Sequence, residues 1–209
     1  MFPKPIEKSS PFAQISYRLL LPVMLVLWLL PLIGVAITSV RPASDLAAGN
    51  YFGMPSGFAG VENYTAVFEN SPIGYYILNS FKITIPSVIG AVALSCLAGF
   101  ALAVYRFKGN VALFFLFVAG NFIPFQILMV PVRDLSLKLG LYDTVTGLVL
   151  FHVAFQTGFC TLFMRNFISG LPFALIESAR VEGVSECNIF RHIVLPLMLP
   201  AITALSVLI

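Results

Sequence analysis

Five uncharged stretches divide this chain, and they restrict its fold more than any other feature: Leu19 to Val40, Ile83 to Tyr105, Gly109 to Val132, Thr144 to Met164 and Ile193 to Ile209. A helix needs about 20 mostly apolar residues to cross the hydrocarbon of a bilayer, and the runs are of that order. Each is continuous and rich in Leu, Ala and Phe. A membrane barrel would instead show short segments of alternating polarity, so an all-α transmembrane bundle is expected. Composition agrees, with 59% of residues hydrophobic and 10% charged, against about a quarter charged in soluble domains. The first run follows Lys4, Lys8 and Arg18 as a secretion signal would. It is longer than a signal core and no Ala-x-Ala site follows it, so it reads as a retained helix.

Orientation follows from the basic residues, which are retained on the cytoplasmic side. With the N-terminus inside, Lys4, Lys8, Arg18, Arg106, Lys108, Arg165, Arg180 and Arg191 are cytoplasmic and only Arg41, Lys82, Arg133 and Lys138 are external. The reading is a cytoplasmic N-terminal segment over 1–18 and a membrane domain over 19–209. The latter carries an external loop at 41–76 and a cytoplasmic loop at 165–192. The external loop is rich in Gly, Pro, Asn and Ser and carries Tyr51, Phe52, Phe58, Tyr64, Phe68, Tyr75 and Tyr76, a composition suited to the interface. The net charge of +3 requires no nucleic-acid partner; anionic lipid at the inner leaflet accounts for it.

Within the second run Ser87, Ala91, Ser95, Gly99 and Ala103 recur every four residues. Small residues at that spacing let two helix backbones approach closely in lipid, so a packing seam is expected; its partner helix is left open. Polar side chains at membrane depth are costly and often line pathways. Asn121, Gln126, His152 and Gln156 qualify, flanked by Phe122, Phe125, Phe151 and Phe155; the alternative is that buried amides bridge helices. His152 and Gln156, at i and i+4, share a face. Lys82 is expected to snorkel to the interface. Pro86, Pro124, Pro131, Pro196 and Pro200 fall in or at the edges of runs, where they kink helices.

Catalytic chemistry is not evident. No Gly-x4-Gly-Lys-Ser/Thr phosphate loop occurs, and His152 and His192 lack acidic neighbours at metal-ligand spacing, so no metal site is expected. Cys96, Cys160 and Cys187 form no Cys-x-x-Cys pair and read as packing residues.

The cytoplasmic loop carries the most specific pattern. Glu177, Ser178 and Ala179 are followed at fixed offsets by Gly183, and then by Ile193, Leu195 and Pro196. Pro172 suits the first turn of a helix, Gly183 a left-handed helix stop, and Ser185 the cap of a second helix, although Asn188 is not the Glu or Gln of a capping box. Helix, break, helix is the expected result, the first helix running from about Pro172 to Glu182. Ala179 and Gly183 then share a small-sided face against which a partner groove could close.

This pattern resembles the cytoplasmic signature of binding-protein-dependent ABC importer permeases: Glu-Ala-Ala, three residues, Gly, nine residues, Ile-x-Leu-Pro. Ser178 stands where the family usually has Ala. Gly60-Val61-Glu62-Asn63-Tyr64 with Val67-Phe68 and Asn79-Ser80, and Leu139-Gly140-Leu141-Tyr142-Asp143-Thr144, are similar to loops of the carbohydrate-uptake branch, of the maltose G-type. The resemblance implies a non-enzymatic subunit at the cell's inner membrane. That subunit would pair with a second permease in a heterodimer, with a dimer of ATP-binding subunits and with an extracytoplasmic solute-binding protein. ATP and Mg would be held by the ATPase, and this chain would bind no cofactor. The loop would be the coupling helix that sits in a cleft of the ATPase and switches the membrane helices. Family members usually carry a sixth helix, so five spans with a sixth missing are expected here. An importer for another solute class, or a non-functional truncated permease, is the alternative. A secondary transporter would need an intramembrane carboxylate or ion site, and none of the nine acidic residues lies within a run.

Overall fold

The computed structural model describes residues 10–51 and 53–209. Lys4, Lys8 and Phe52 lie outside the described residues. Every regular element among those described is helical, as the uncharged runs require. The chain divides into two compact units, Met1–Tyr75 and Tyr76–Ile209.

The first unit contains α1 (Pro11–Ser39), α2 (Ala43–Ala47) and α3 (Gly60–Asn70). Helix α1 starts where Pro11 follows the capping Ser10, so residues 11–18, read above as part of the N-terminal segment, already belong to the helix. None of its residues is buried. The 41–76 segment, expected above to be an external loop, is more ordered than its Gly- and Pro-rich composition suggests. Arg41 is only 2% exposed, and its guanidinium donates to the carbonyls of Asn50 (2.5 Å) and Gly53 (2.6 Å). The carboxylate of Asp45 lies 3.8 Å away and accepts from the Ser56 amide (2.8 Å) and hydroxyl (2.6 Å). Asn63 Nδ2 donates to the carbonyls of Ser39 and Arg41, fixing α3 to the end of α1. Arg41, counted above as an external cation, therefore organises a loop, since a buried guanidinium requires acceptors.

The two Ser56 bonds, reinforced by Arg41, hold the Asp45 carboxyl below its ordinary pKa. Its contribution to loop stability is complete above the ordinary carboxylate range and is lost as pH falls through the lowered value. The hydrogen-exchange protection factor of the Ser56 amide should fall in that acidic window and be constant above it; a flat profile throughout would contradict this.

Helix α4 (Ile73–Val104) leads into the second unit, followed by α5 (Asn110–Gly120), α6 (Phe125–Lys138), α7 (Val145–Ser169), α8 (Phe173–Val181), α9 (Glu186–Ile189) and α10 (Leu195–Leu208). Starting at Ile73, α4 takes Lys82 into its body. The small-residue seam is buried at Ser87, Ala91, Ser95 and Gly99 and half-buried at Ala103, and its partner is α7. A Cβ on Gly90 would meet Val153 Cγ2 at 2.8 Å, and one on Gly99 would meet Met164 Cβ at 2.9 Å and the Arg165 amide nitrogen at 3.0 Å. Between them Ser95 Oγ donates to the Thr157 carbonyl at 3.3 Å, an interhelical bond worth roughly 0.6 kcal/mol in a membrane. Residue numbers rise together along both helices, so α4 and α7 run parallel.

Parallel spans need a return crossing between them, and this determines how the third uncharged run is read. That run does not form one helix: α5 and α6 meet at a 95° bend, with Pro124 at the N-cap of α6. The reason is local, because Pro124 disfavours helix at Ile123 and cannot donate an amide itself. Helix α5 is about 16 Å long at 1.5 Å per residue, half the hydrocarbon thickness. It lies antiparallel on α7: Phe117 and Asn121 approach Gly158, and Arg165 stacks on the Phe114 ring at 4.2 Å. The broken pair makes the return, so that among the described residues four helices are long and apolar enough to cross a membrane and one bent pair makes a fifth crossing.

The last span starts earlier than its uncharged run. Residues Glu186 to Leu208 form one helical rod, interrupted by a π segment at Phe190–Val194. Pro196 follows within a turn; it has no amide to donate and its ring crowds the carbonyl of His192, and a wider turn absorbs both defects. Cys96 and Cys160 are buried as expected, whereas Cys187 is exposed on α9, so it is not a packing residue.

Candidate coupling site

The loop from Gly170 to Val194 begins as α8 with Pro172 at its N-cap, one position earlier than a first-turn proline. Helix α8 ends through Gly183, whose φ is +77°. The Val184 amide donates to the Ala179 carbonyl and the Gly183 amide to the Arg180 carbonyl, both at 3.0 Å. This pair of bonds is the Schellman arrangement, which satisfies carbonyls that a helix end would leave free. Glycine is required because an L side chain in the left-handed region costs roughly 1–2 kcal/mol. Ser185 follows as the N-cap of α9, but its side chain makes no capping bond; with Asn188 in the reciprocal position, the capping box is absent.

The two faces of α8 differ. Ile176 and Ala179 are buried in the core formed by α4, α7, α9 and α10, so Ala179 does not share a free face with Gly183. Its small side chain seats the helix on its own bundle. The outward edge carries Glu177, Ser178, Val181, Glu182 and Gly183, all exposed, with Val181 at 89%. No atom lies within 4 Å of a Cβ placed on Gly183. Further along, Ile193 and Leu195 are half-buried and Pro196 is exposed. Of the signature, then, Glu177, Ser178 and Gly183 face outward together, while Ala179, Ile193 and Leu195 hold the scaffold.

What the motif alone does not reveal is how the loop is tied to the bundle. Arg180 forms a two-pronged pair with Glu186, Nε to Oε1 at 2.6 Å and Nη2 to Oε2 at 3.0 Å. Tyr105, just past the end of α4, donates its hydroxyl to Glu186 Oε2 at 2.6 Å, and Arg180 also lies 5.6 Å from the Tyr105 ring centroid. The Glu186 carboxylate raises the Arg180 pKa further, so that guanidinium stays charged. A single exposed ion pair contributes only about 0.2–1 kcal/mol. The value of this one is geometric, since two prongs and a phenol fix α8, α9 and the end of α4 in one orientation. Beneath it Phe100 meets Tyr105 edge to face, ring centroids 5.7 Å apart, and Phe190 at a tilt, 5.1 Å apart. The available signal was Arg180 and Glu186 bracketing the glycine break, but the tyrosine partner is too far away in sequence to be paired by inspection.

The expected pathway residues separate into three places. His152 and Gln156 line a cavity of about 80 Å³ with Ile83, Thr84, Ser87 and Val88. Phe151 and Phe155 face another way, lining a cavity of about 510 Å³ with residues of α5 and α6, where Phe155 meets Phe125 at 6.3 Å. Adjacent positions on a helix point about 100° apart, which is why aromatics and polar groups close in sequence diverge in space. Asn121 caps α5 by donating to the Phe117 carbonyl at 2.9 Å, and Gln126 is exposed at the start of α6. Neither joins His152. Among the described residues no group of His, Cys, Asp and Glu is placed to hold a metal ion.

Comparison with known proteins matches residues 91–209 to the family described as binding-protein-dependent transport system inner membrane component. The osmoprotective compounds uptake permease protein GgtD of Synechocystis is 34% identical over 87% of this chain and 62% of its own length. The arabinooligosaccharides transport system permease protein AraQ of Halalkalibacterium halodurans is 34% identical over 85% of this chain and 64% of its own. The chain thus spans somewhat less than two thirds of the length of these relatives. A chain of a bacterial ABC transporter involved in the import of the acidic polysaccharide alginate superposes with a TM-score of 0.78 at 20% identity, covering 99% of this chain and 72% of that one, which shows a shared fold. With more than half of its residues matched by the family model, this chain belongs to the inner membrane components of binding-protein-dependent transport systems.

Proposed function

We propose that this chain is a membrane-spanning subunit of an ATP-driven importer for a sugar or sugar-like solute, forming half of the translocation pathway. The observation that carries the proposal is the helix, left-handed glycine and helix of residues 173–189, joined without a break to the last span and clamped to α4 by Tyr105. A push on the outward edge of α8 would pass into two spans as a rigid displacement, because packed interfaces move between discrete arrangements. Glu177, Ser178 and Gly183 make the contact with a separate ATPase, which supplies ATP and Mg; Ala179, Ile193, Leu195 and Pro196 hold the lever. The N-terminus is cytoplasmic in this reading, and a second permease and an extracytoplasmic solute-binding protein complete the assembly.

Names of relatives support the solute class: arabinooligosaccharides, alpha-glucoside and diacetylchitobiose appear among them. An osmoprotective compound is the second reading, favoured by the Synechocystis relative. His152 and Gln156, with Ser87 beside them, are the positions proposed to face the solute. Purification of the chain from its native membrane in mild detergent, with mass spectrometry of what accompanies it, tests the assembly. An ATPase and a solute-binding protein should co-purify. If neither does, the importer reading fails.

A further inference from the structure

A second polar feature lies at the same end of the bundle as α8 and is not used by the coupling contact. Arg106, Lys108 and Arg165, with Tyr105, Asn110 and an apolar side made by Leu102, Ala103, Phe107 and Val111, line an open surface cavity of about 530 Å³. Three of the lining groups are cations and none is a carboxylate. Among the described residues, Arg106, Lys108 and Arg165 take part in no ion pair. Arg165 is the most constrained: its guanidinium lies over the Phe114 ring, and its Nε is buried without a hydrogen-bond partner, an unfavourable state that an anion would relieve. The one nearby acid the site touches, Glu186 through Tyr105, is neutralised by Arg180.

The backbone adds to this field. Helix α5 begins at the cavity; its Asn110 amide is taken by the Phe107 carbonyl at 3.1 Å, and no side chain caps its N-terminus, so the next amides of the first turn are left to face an anion. The turn that presents Arg106 and Lys108 is fixed, because Asn110 Nδ2 donates to the carbonyls of Leu102 (3.1 Å) and Tyr105 (2.9 Å). Leu102, Ala103, Phe107 and Val111 supply an apolar wall beside the charges. Cations, free amides and an apolar wall together match a molecule that is a phosphate at one end and hydrocarbon at the other.

We propose that this cavity binds the phosphate-bearing headgroup of an anionic membrane lipid, seating it between the end of α4, the start of α5 and Arg165 of α7. The apolar wall distinguishes a lipid phosphate from a free one. Basic pockets between membrane helices at this level are suited to such headgroups.

The test is native mass spectrometry of the chain, with any subunits that co-purify, after reconstitution in nanodiscs of phosphatidylcholine containing phosphatidylglycerol and release into detergent. The wild-type chain should retain phosphatidylglycerol in preference to phosphatidylcholine. Arg106→Gln with Lys108→Gln, both exposed and therefore harmless to folding, should weaken retention by about fivefold for each cation removed. Lys138→Gln, outside the cavity, should leave it unchanged. Equal retention by the double variant overturns the proposal. So does displacement of the lipid by millimolar inorganic phosphate, which would make this a free-anion site, or loss of a co-purifying subunit with lipid retention intact, which would make it a protein contact. None of these readouts depends on which solute is carried.

Discussion

On the proposed coupling role, a Gly183→Val chain will accumulate in the membrane and yet lose most of its uptake. Gly183 sits at φ +77° with open space around it, so the substitution meets no clash and its whole effect falls on the backbone. A β-branched residue is a genuine outlier in that region, and the cost of roughly 1–2 kcal/mol bears on the Schellman bonds that set the angle between α8 and α9. A bias of that size shifts a two-state geometry by about 5–30-fold. Uptake measured against ATP hydrolysis in proteoliposomes should drop by at least the lower figure while hydrolysis persists. Gly183→Asn, which tolerates the left-handed region, should recover most of it. Unchanged uptake in the valine variant at normal expression would remove Gly183 from the coupling role.

The second large effect is expected at Gly99, by the opposite cause. There a side chain has no space, since even a Cβ falls 2.9 Å from Met164 Cβ and 3.0 Å from the Arg165 amide nitrogen. Gly99→Leu should separate α4 from α7 at an overpacking cost of about 1–3 kcal/mol or more, lowering the thermal midpoint of the detergent-solubilised chain and its yield. Ala93→Leu, on the exposed side of the same helix, is the matched control and should be nearly silent. Adding Met164→Ala should not restore Gly99→Leu, because the backbone of Arg165 remains in the way. Full rescue by that second change would show that the contact is a side-chain clash rather than a helix–helix approach.

Several features could be read residue by residue because their causes are local. Long stretches without charge mark membrane helices, and four of the five runs lie in single helical rods. A glycine following Glu177 to Glu182 marks a helix stop, and the structure has the left-handed angle there. Repeats of Ser, Ala and Gly every four residues place a seam on one face of α4. Boundaries were harder to place, since α1, α4 and the last span extend into flanking charged residues that an uncharged-run criterion discards. The third run shows the same limit: absence of charge presents it as one stretch, Pro124 marks a kink within it, and only the structure gives the 95° bend.

What the sequence determined by itself is the class of fold, the helix, glycine break and helix of the cytoplasmic-signature pattern, and the existence of a close-packing face, each set by residues within a turn or two of one another. Only the tertiary structure decided that the face meets α7, that Ala179 turns inward, that His152 and Phe151 serve different cavities, and that Tyr105 clamps Arg180 and Glu186. The physical reason is partner choice. Small residues admit any close helix, and a carboxylate accepts any donor within reach. Which one arrives depends on how the parallel pair α4 and α7, the bent return of α5 and α6, and the last span fill the same volume.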